Sequence, residues 1–74
     1  MIEESNKDRI MKLGGTIRAY RKSRNISQVE LAGKINTQPN AIHRIEHGKV
    51  NSGINMIIKI ADELDMKVRD LIEF

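Results

Sequence analysis

At 74 residues the chain makes one domain with room for a single small core, and without cysteine it has neither a disulfide frame nor a thiolate metal site. Lys and Arg outnumber Asp and Glu by 13 to 10, a formal charge of +3, which suits a polyanionic partner without requiring one. No apolar run approaches the ~20 residues that span a bilayer, and the polar start MIEESNKDR is unlike a signal peptide, so the expected setting is the cytoplasm, away from any membrane.

Residues 1–7 are polar and aperiodic and read as a flexible arm, with the domain proper over 8–74. Asp8 is placed to cap a first helix running to about Ser23, with Ile10, Leu13, Ile17 and Tyr20 as its inner stripe. Gly14 and Gly15 inside it each cost about 1 kcal/mol relative to alanine. A second helix opens at Ser27 with a capping box: the Ser27 hydroxyl accepts from the Glu30 N–H, and the Glu30 carboxylate accepts from the Ser27 N–H. Val29, Leu31, Ala32 and Ile35 keep helical spacing up to Asn36, a residue that tolerates the left-handed conformation by which a helix ends. Pro39 suits the first position of a third helix; Ile42 and Ile45 give that helix one thin apolar edge, and Gly48 stops it. Asn40, Ala41, His43, Arg44 and His47 face elsewhere. A fourth helix over about 54–64 turns Ile54, Ile57, Ala61 and Leu64 inward, with Met56 and Ile58 at its margins, and a short fifth spans Val68 to Ile72. Nothing alternates as a strand would. The expected fold is all-α, a compact five-helix domain around a central helix-turn-helix.

The stretch SQVELAGKINTQPNAIHRIEHG, residues 27–48, resembles the helix-turn-helix of Cro and the phage repressors, the XRE-like family of bacterial regulators. Upstream, Leu13-Gly14, Ile17-Arg18 and Arg21 resemble that family's first helix. Downstream, Gly48-Lys49, Ile54, Ile57, Ile60-Ala61, Leu64 and Val68 to Leu71 resemble its fourth and fifth, so the likeness runs over about residues 13–72 without a gap. The chain also departs from the pattern. Asn36 and Asn25 stand where glycine is common, Gln38 replaces the usual serine or threonine cap, and the loop Asn51-Ser52-Gly53 lacks the usual proline.

The resemblance implies a sequence-specific regulator of transcription, a repressor or autoregulator, that reads the major groove of double-stranded DNA with residues 38–47. Exposed residues in the first turns of such a helix reach base edges: here Gln38, Asn40, Ala41, His43 and Arg44. Asn40 matches adenine N6 and N7, Arg44 matches guanine O6 and N7, and Ala41 suits a thymine methyl. The resemblance further implies backbone contacts from Gln28, which also braces the recognition helix, and from Lys49 and Asn51, with Lys34 and Arg18 as weaker candidates. It pairs Arg21 with Glu46 to fix the angle between scaffold and reading helix, and assigns Gly14 to close helix packing. A homodimer is expected, with Met56, Ile58, Leu71, Ile72 and Phe74 as candidates for the seam. No cofactor, metal or small-molecule substrate is implied.

Two other classes compete. An antitoxin-like protein would hold a partner such as a toxin as well as its own operator. His43-Arg44-Ile45-Glu46-His47 also matches the H-x-x-E-H zinc pattern of some metalloproteases. Catalytic zinc wants a third protein ligand and a substrate cleft, and the sequence marks out neither; in the repressor-like frame Glu46 is also taken by Arg21. An enzyme is not expected.

Overall fold

The computed structural model describes residues 4–50 and 52–72. Asn51, expected at a phosphate, and Phe74, expected in a dimer seam, lie outside them, as does the start of the arm. Among the described residues all regular structure is helical: α1 (Glu4–Ser23), α2 (Gln28–Lys34), α3 (Pro39–Glu46), α4 (Ile54–Glu63) and α5 (Val68–Leu71). The first helix begins at Glu4, so Asp8 sits inside it rather than capping it. Residues 4–7 hold neither proline nor glycine, and Glu and Lys are good helix formers, so nothing stops the helix from extending back.

The capping box of α2 is formed: the Ser27 hydroxyl accepts from the Glu30 N–H at 3.0 Å, and Glu30 Oε1 accepts from the Ser27 N–H at 3.4 Å. The first four helices all end in one way. At the end of α1, Asn25 has φ 56°; its N–H donates to the Lys22 carbonyl at 3.0 Å, and the Ile26 N–H to that of Arg21 at 3.2 Å. Asn36, Gly48 and Asp65 close the next three helices with φ of 59°, 67° and 54° and the same two bonds. This left-handed cap satisfies carbonyls that the helix itself leaves unpaired. Asp65 does for α4 what asparagine does earlier, a role that sequence reading did not give it.

α3 packs on α1 and α2, while α4 packs on α5 and α2. Ile17, Leu31, Ile42, Ile60, Leu64 and Leu71 fill the center and are essentially inaccessible. Leu13, Met56 and Val68 pack against that core from its margin. Three apolar expectations are corrected. Tyr20 is 37% exposed, with the Arg24 guanidinium 5.2 Å from its ring center, because the buried line of α1 runs through Gly14, Ile17 and Arg21. Ile54 is 63% exposed: it is the first residue of α4, and helical side chains lean toward the N-terminus, carrying it beyond the layer that covers Ile57. Leu71 is 1% exposed and belongs to the core, where α5 docks, rather than to an outer seam.

α1 and α3 meet without a side-chain layer between them at Gly14. A methyl group there would stand 2.7 Å from the Glu46 carbonyl oxygen and against that of Ile45. Beside this crossing lies a buried ion pair. Arg21 Nε donates to Glu46 Oε2 at 2.6 Å and Nη2 to Oε1 at 3.0 Å, a two-point fork of the geometry that arginine makes best. Arg21 Nη1 donates to the Ile26 carbonyl at 2.8 Å, and Gln28 Nε2 to Glu46 Oε1 at 3.1 Å. The Glu46 hydrogen bond holds the Arg21 guanidinium above its ordinary range, outweighing the opposing effect of burial. One carboxylate thus ties three helices together.

Replacing Gly14 with alanine is expected to cost about 1–3 kcal/mol by overpacking against fixed backbone, despite the better helix propensity. Gly15→Ala, where an added carbon meets nothing within 4 Å, should instead stabilise by about 0.5–1 kcal/mol. Thermal melts of the two variants should therefore move in opposite directions; nothing in the structure explains why Gly15 is glycine. Glu46→Ala should cost about 3–5 kcal/mol by stranding the Arg21 charge, and the double variant Arg21→Met with Glu46→Leu should recover much of that loss. Melting curves that leave Glu46→Ala unchanged would contradict the role given to the pair.

Candidate nucleic-acid interface

Eight residues make α3, and three of them, Ile42, Ile45 and Glu46, are buried. That leaves a polar outer face. Gln38 takes the N-cap position with extended backbone, φ −91° and ψ 146°, but its side chain makes no capping bond. Pro39 follows at N1, so the first missing N–H belongs to a residue that has none to satisfy. Gln38, Asn40, His43 and Arg44 are exposed, and so is His47 beyond the last turn. Asn40 and Arg44 lie one turn apart, as do His43 and His47, whose ring centers stand 4.1 Å apart with a 38° tilt.

Ala41 differs from the others. It is half-buried and lines a cleft of about 190 Å³ with Arg44, Ile45, Val50, Ser52, Gly53 and Met56, between α3 and the start of α4. Arg44 is exposed while lining the same cleft, an arrangement that a long cationic side chain readily adopts.

The backbone-contact candidates scatter more widely. Gln28 stands at the first position of α2 and is half-buried, with its amide donating to Glu46; it braces α3 whatever else it touches. Lys49 is exposed just past the Gly48 turn, next to the end of α3, and Arg18 is exposed on α1. Lys34 lines a separate cleft with Ile35, Asn36, Lys59, Asp62 and Glu63, on the α2–α4 side. Its surroundings include two acids, which weakens its case as a phosphate contact.

Electrostatically the α3 face is one-sided. No acidic residue occupies the first turn of α3, and its only carboxylate, Glu46, is buried and paired with Arg21. Asp62, Glu63 and Asp70 fall on α4 and α5. A polyanion approaching α3 thus meets Arg44, Lys49 and helix N–H groups without an opposing charge on that helix. The zinc-protease reading fails on the same geometry, because Glu46 turns inward and both its oxygens accept from Arg21 or Gln28. Among the described residues no group of three or more His, Cys, Asp or Glu is placed to hold a metal. No described helix is long and apolar enough to cross a membrane.

Sequence reasoning left His47 outside the base-reading set, although its spacing from Asn40 and His43 places it on the same face. The resemblance gave Gln28 a bracing role on α3, and the structure supplies the partner, Glu46, 18 residues away.

The pattern of the helix-turn-helix family matches residues 17–71. No curated protein matches the chain at a significant level. Among solved structures, the restriction-modification controller protein C.AhdI from Aeromonas hydrophila is 29% identical, with a TM-score of 0.81 over 84% of this chain and 94% of its own. The clp gene regulator ClgR from Corynebacterium glutamicum shares the fold at 21% identity, with a TM-score of 0.82 over 85% of this chain and 67% of its own. With more than half of its length matched, the chain belongs to the helix-turn-helix family, in the XRE-like form of Cro and the phage repressors.

Proposed function

We propose that this protein is a transcriptional regulator that binds a specific double-stranded DNA sequence and acts as a repressor or autoregulator by occupying a promoter. The observation that carries this reading is the outer face of α3, a polar and cationic surface held on a buried frame. Membership of the helix-turn-helix family supports it, and the similar C.AhdI is itself described as a controller protein. Asn40 and Arg44 read base edges, with Gln38, Ala41 and His43 beside them, while Lys49 and the first turn of α2 hold phosphates. Binding is all the site does: the reading assigns it no catalytic step, and its setting is the cytoplasm, where the DNA lies.

The active form is a homodimer on a site with two-fold symmetry. Ile54, Ile58 and Ile72 are 63%, 41% and 46% exposed, an unusual apolar load for α4 and α5 in so small a domain. Pairing two copies through that surface buries it and sets two reading helices roughly 34 Å apart, one turn of the duplex. Met56 contributes less, because it already packs on the core.

Selection from random duplexes should yield a preferred site with an inverted repeat, confirmed by a mobility-shift assay. Arg44→Ala should weaken binding to that site by about 1–3 kcal/mol and relax preference at one base position. Lys49→Ala should weaken all duplexes alike and reduce the salt dependence by about one unit of slope. Equal losses by Arg44→Ala on selected and random duplexes would make Arg44 a phosphate contact only. Sedimentation at micromolar concentration should show a dimer that Ile58→Lys breaks into folded monomers; a monomeric wild type selecting asymmetric sites would contradict the pairing.

A further inference from the structure

The H-x-x-E-H stretch is not a protease site, yet its two histidines remain paired on the outer face of α3. His43 and His47 are both exposed, one helical turn apart, and their ring centers are 4.1 Å from each other. Exposed and one turn apart, the two imidazoles can each turn a nitrogen toward a single ion, whose two bonds of about 2.0–2.1 Å bridge donors roughly 3–4 Å apart. Histidines at i and i+4 are also the pair that helical zinc motifs use. Glu46 plays no part, since its oxygens accept from Arg21 and Gln28.

We propose that His43 and His47 form a two-histidine site for an imidazole-seeking divalent transition ion, Ni²⁺, Cu²⁺ or Zn²⁺, and that its occupancy excludes DNA. Imidazole suits these ions, whereas Mg²⁺ and Ca²⁺ prefer oxygen ligands and pass the site by. Water completes the coordination. The second half of the proposal rests on the groove-reading role of α3. Asn40, His43 and His47 follow each other at i, i+3 and i+7, so a chelated ion and its waters stand on the face that must enter the groove. The imidazole nitrogen given to the metal is then lost to a base edge, and the hydrated ion holds the helix away.

Titration of the metal-free full chain with Ni²⁺, followed by calorimetry in the absence of DNA, tests the site itself. One ion per chain is expected, and His47→Ala or His43→Ala should each weaken binding at least about tenfold, because the second imidazole binds at high effective concentration once the first is engaged. Unchanged affinity in both variants, or no binding beyond that of a single imidazole, would overturn the site. Because both side chains are exposed, the variants should keep the wild-type melt, which separates ligand loss from unfolding. The mobility shift of the selected duplex, with Ni²⁺ and then with excess EDTA, tests the exclusion. Wild-type binding should fall with Ni²⁺ and return with EDTA, whereas His47→Ala binding should not respond. Duplex binding that Ni²⁺ leaves unchanged or tightens, as it would if a purine nitrogen completed the coordination, would overturn the exclusion while the titration still stands.

Discussion

Everything on the outer face of α3 depends on how that helix is held, and it is held at Glu46. A helix of eight residues is too short to persist by its own hydrogen bonds, and only Ile42 and Ile45 give it an apolar purchase. The Arg21 fork, with the Gln28 amide on the same carboxylate, fixes its C-terminal end to α1 and α2. At Gly14, backbone meets backbone, so the two helices can cross at only one depth. A buried pair of this kind adds little net stability over an apolar substitute, but it admits few alternative arrangements. For a surface proposed to match base edges within a hydrogen-bond length, that restriction matters more than the stability does.

A second constraint comes from the helix ends. Four successive helices close on left-handed residues, Asn25, Asn36, Gly48 and Asp65, which lets each chain reversal be made in a few residues. Only one of them is glycine. Asparagine and aspartate accept the conformation at a modest penalty because a short polar side chain can bond locally, while restricting the unfolded chain more than glycine does. Gly48 is the position that lacks this freedom: a side-chain carbon there would meet Met11 Cγ at 2.7 Å.

Much of this was legible in the residues. The Ser27–Glu30 box, Asn36, Pro39 and Gly48 each bear a local mechanism, so the boundaries of α2 and α3 followed from single positions. The outward set Asn40, His43 and Arg44 followed from the spacing of Ile42 and Ile45. The inner line of α1 was less legible because Gly14 and Arg21 occupy it, and apolar periodicity alone points to Tyr20 instead. Burial at Leu71 and exposure at Ile54 depend on where neighbouring helices end, which no periodicity carries. The resemblance gave Gln28 its bracing role, but its partner Glu46 and the place of Ala41 in a cleft are tertiary facts of the same kind. The start of α1 was missed for a local reason: Asp8 is a good cap, but nothing before it prevents a helix.

The polar face of α3, held by the Arg21–Glu46 junction, is the surface proposed to meet DNA. The most direct measurement is the change in backbone amide NMR signals of the uniformly labelled protein on titration with its selected duplex. The largest changes are expected over residues 38–49 and at Gln28, with the exposed acids of α4 and α5 little affected. Changes centred on Asp62, Glu63 and Asp70, with α3 silent, would contradict it.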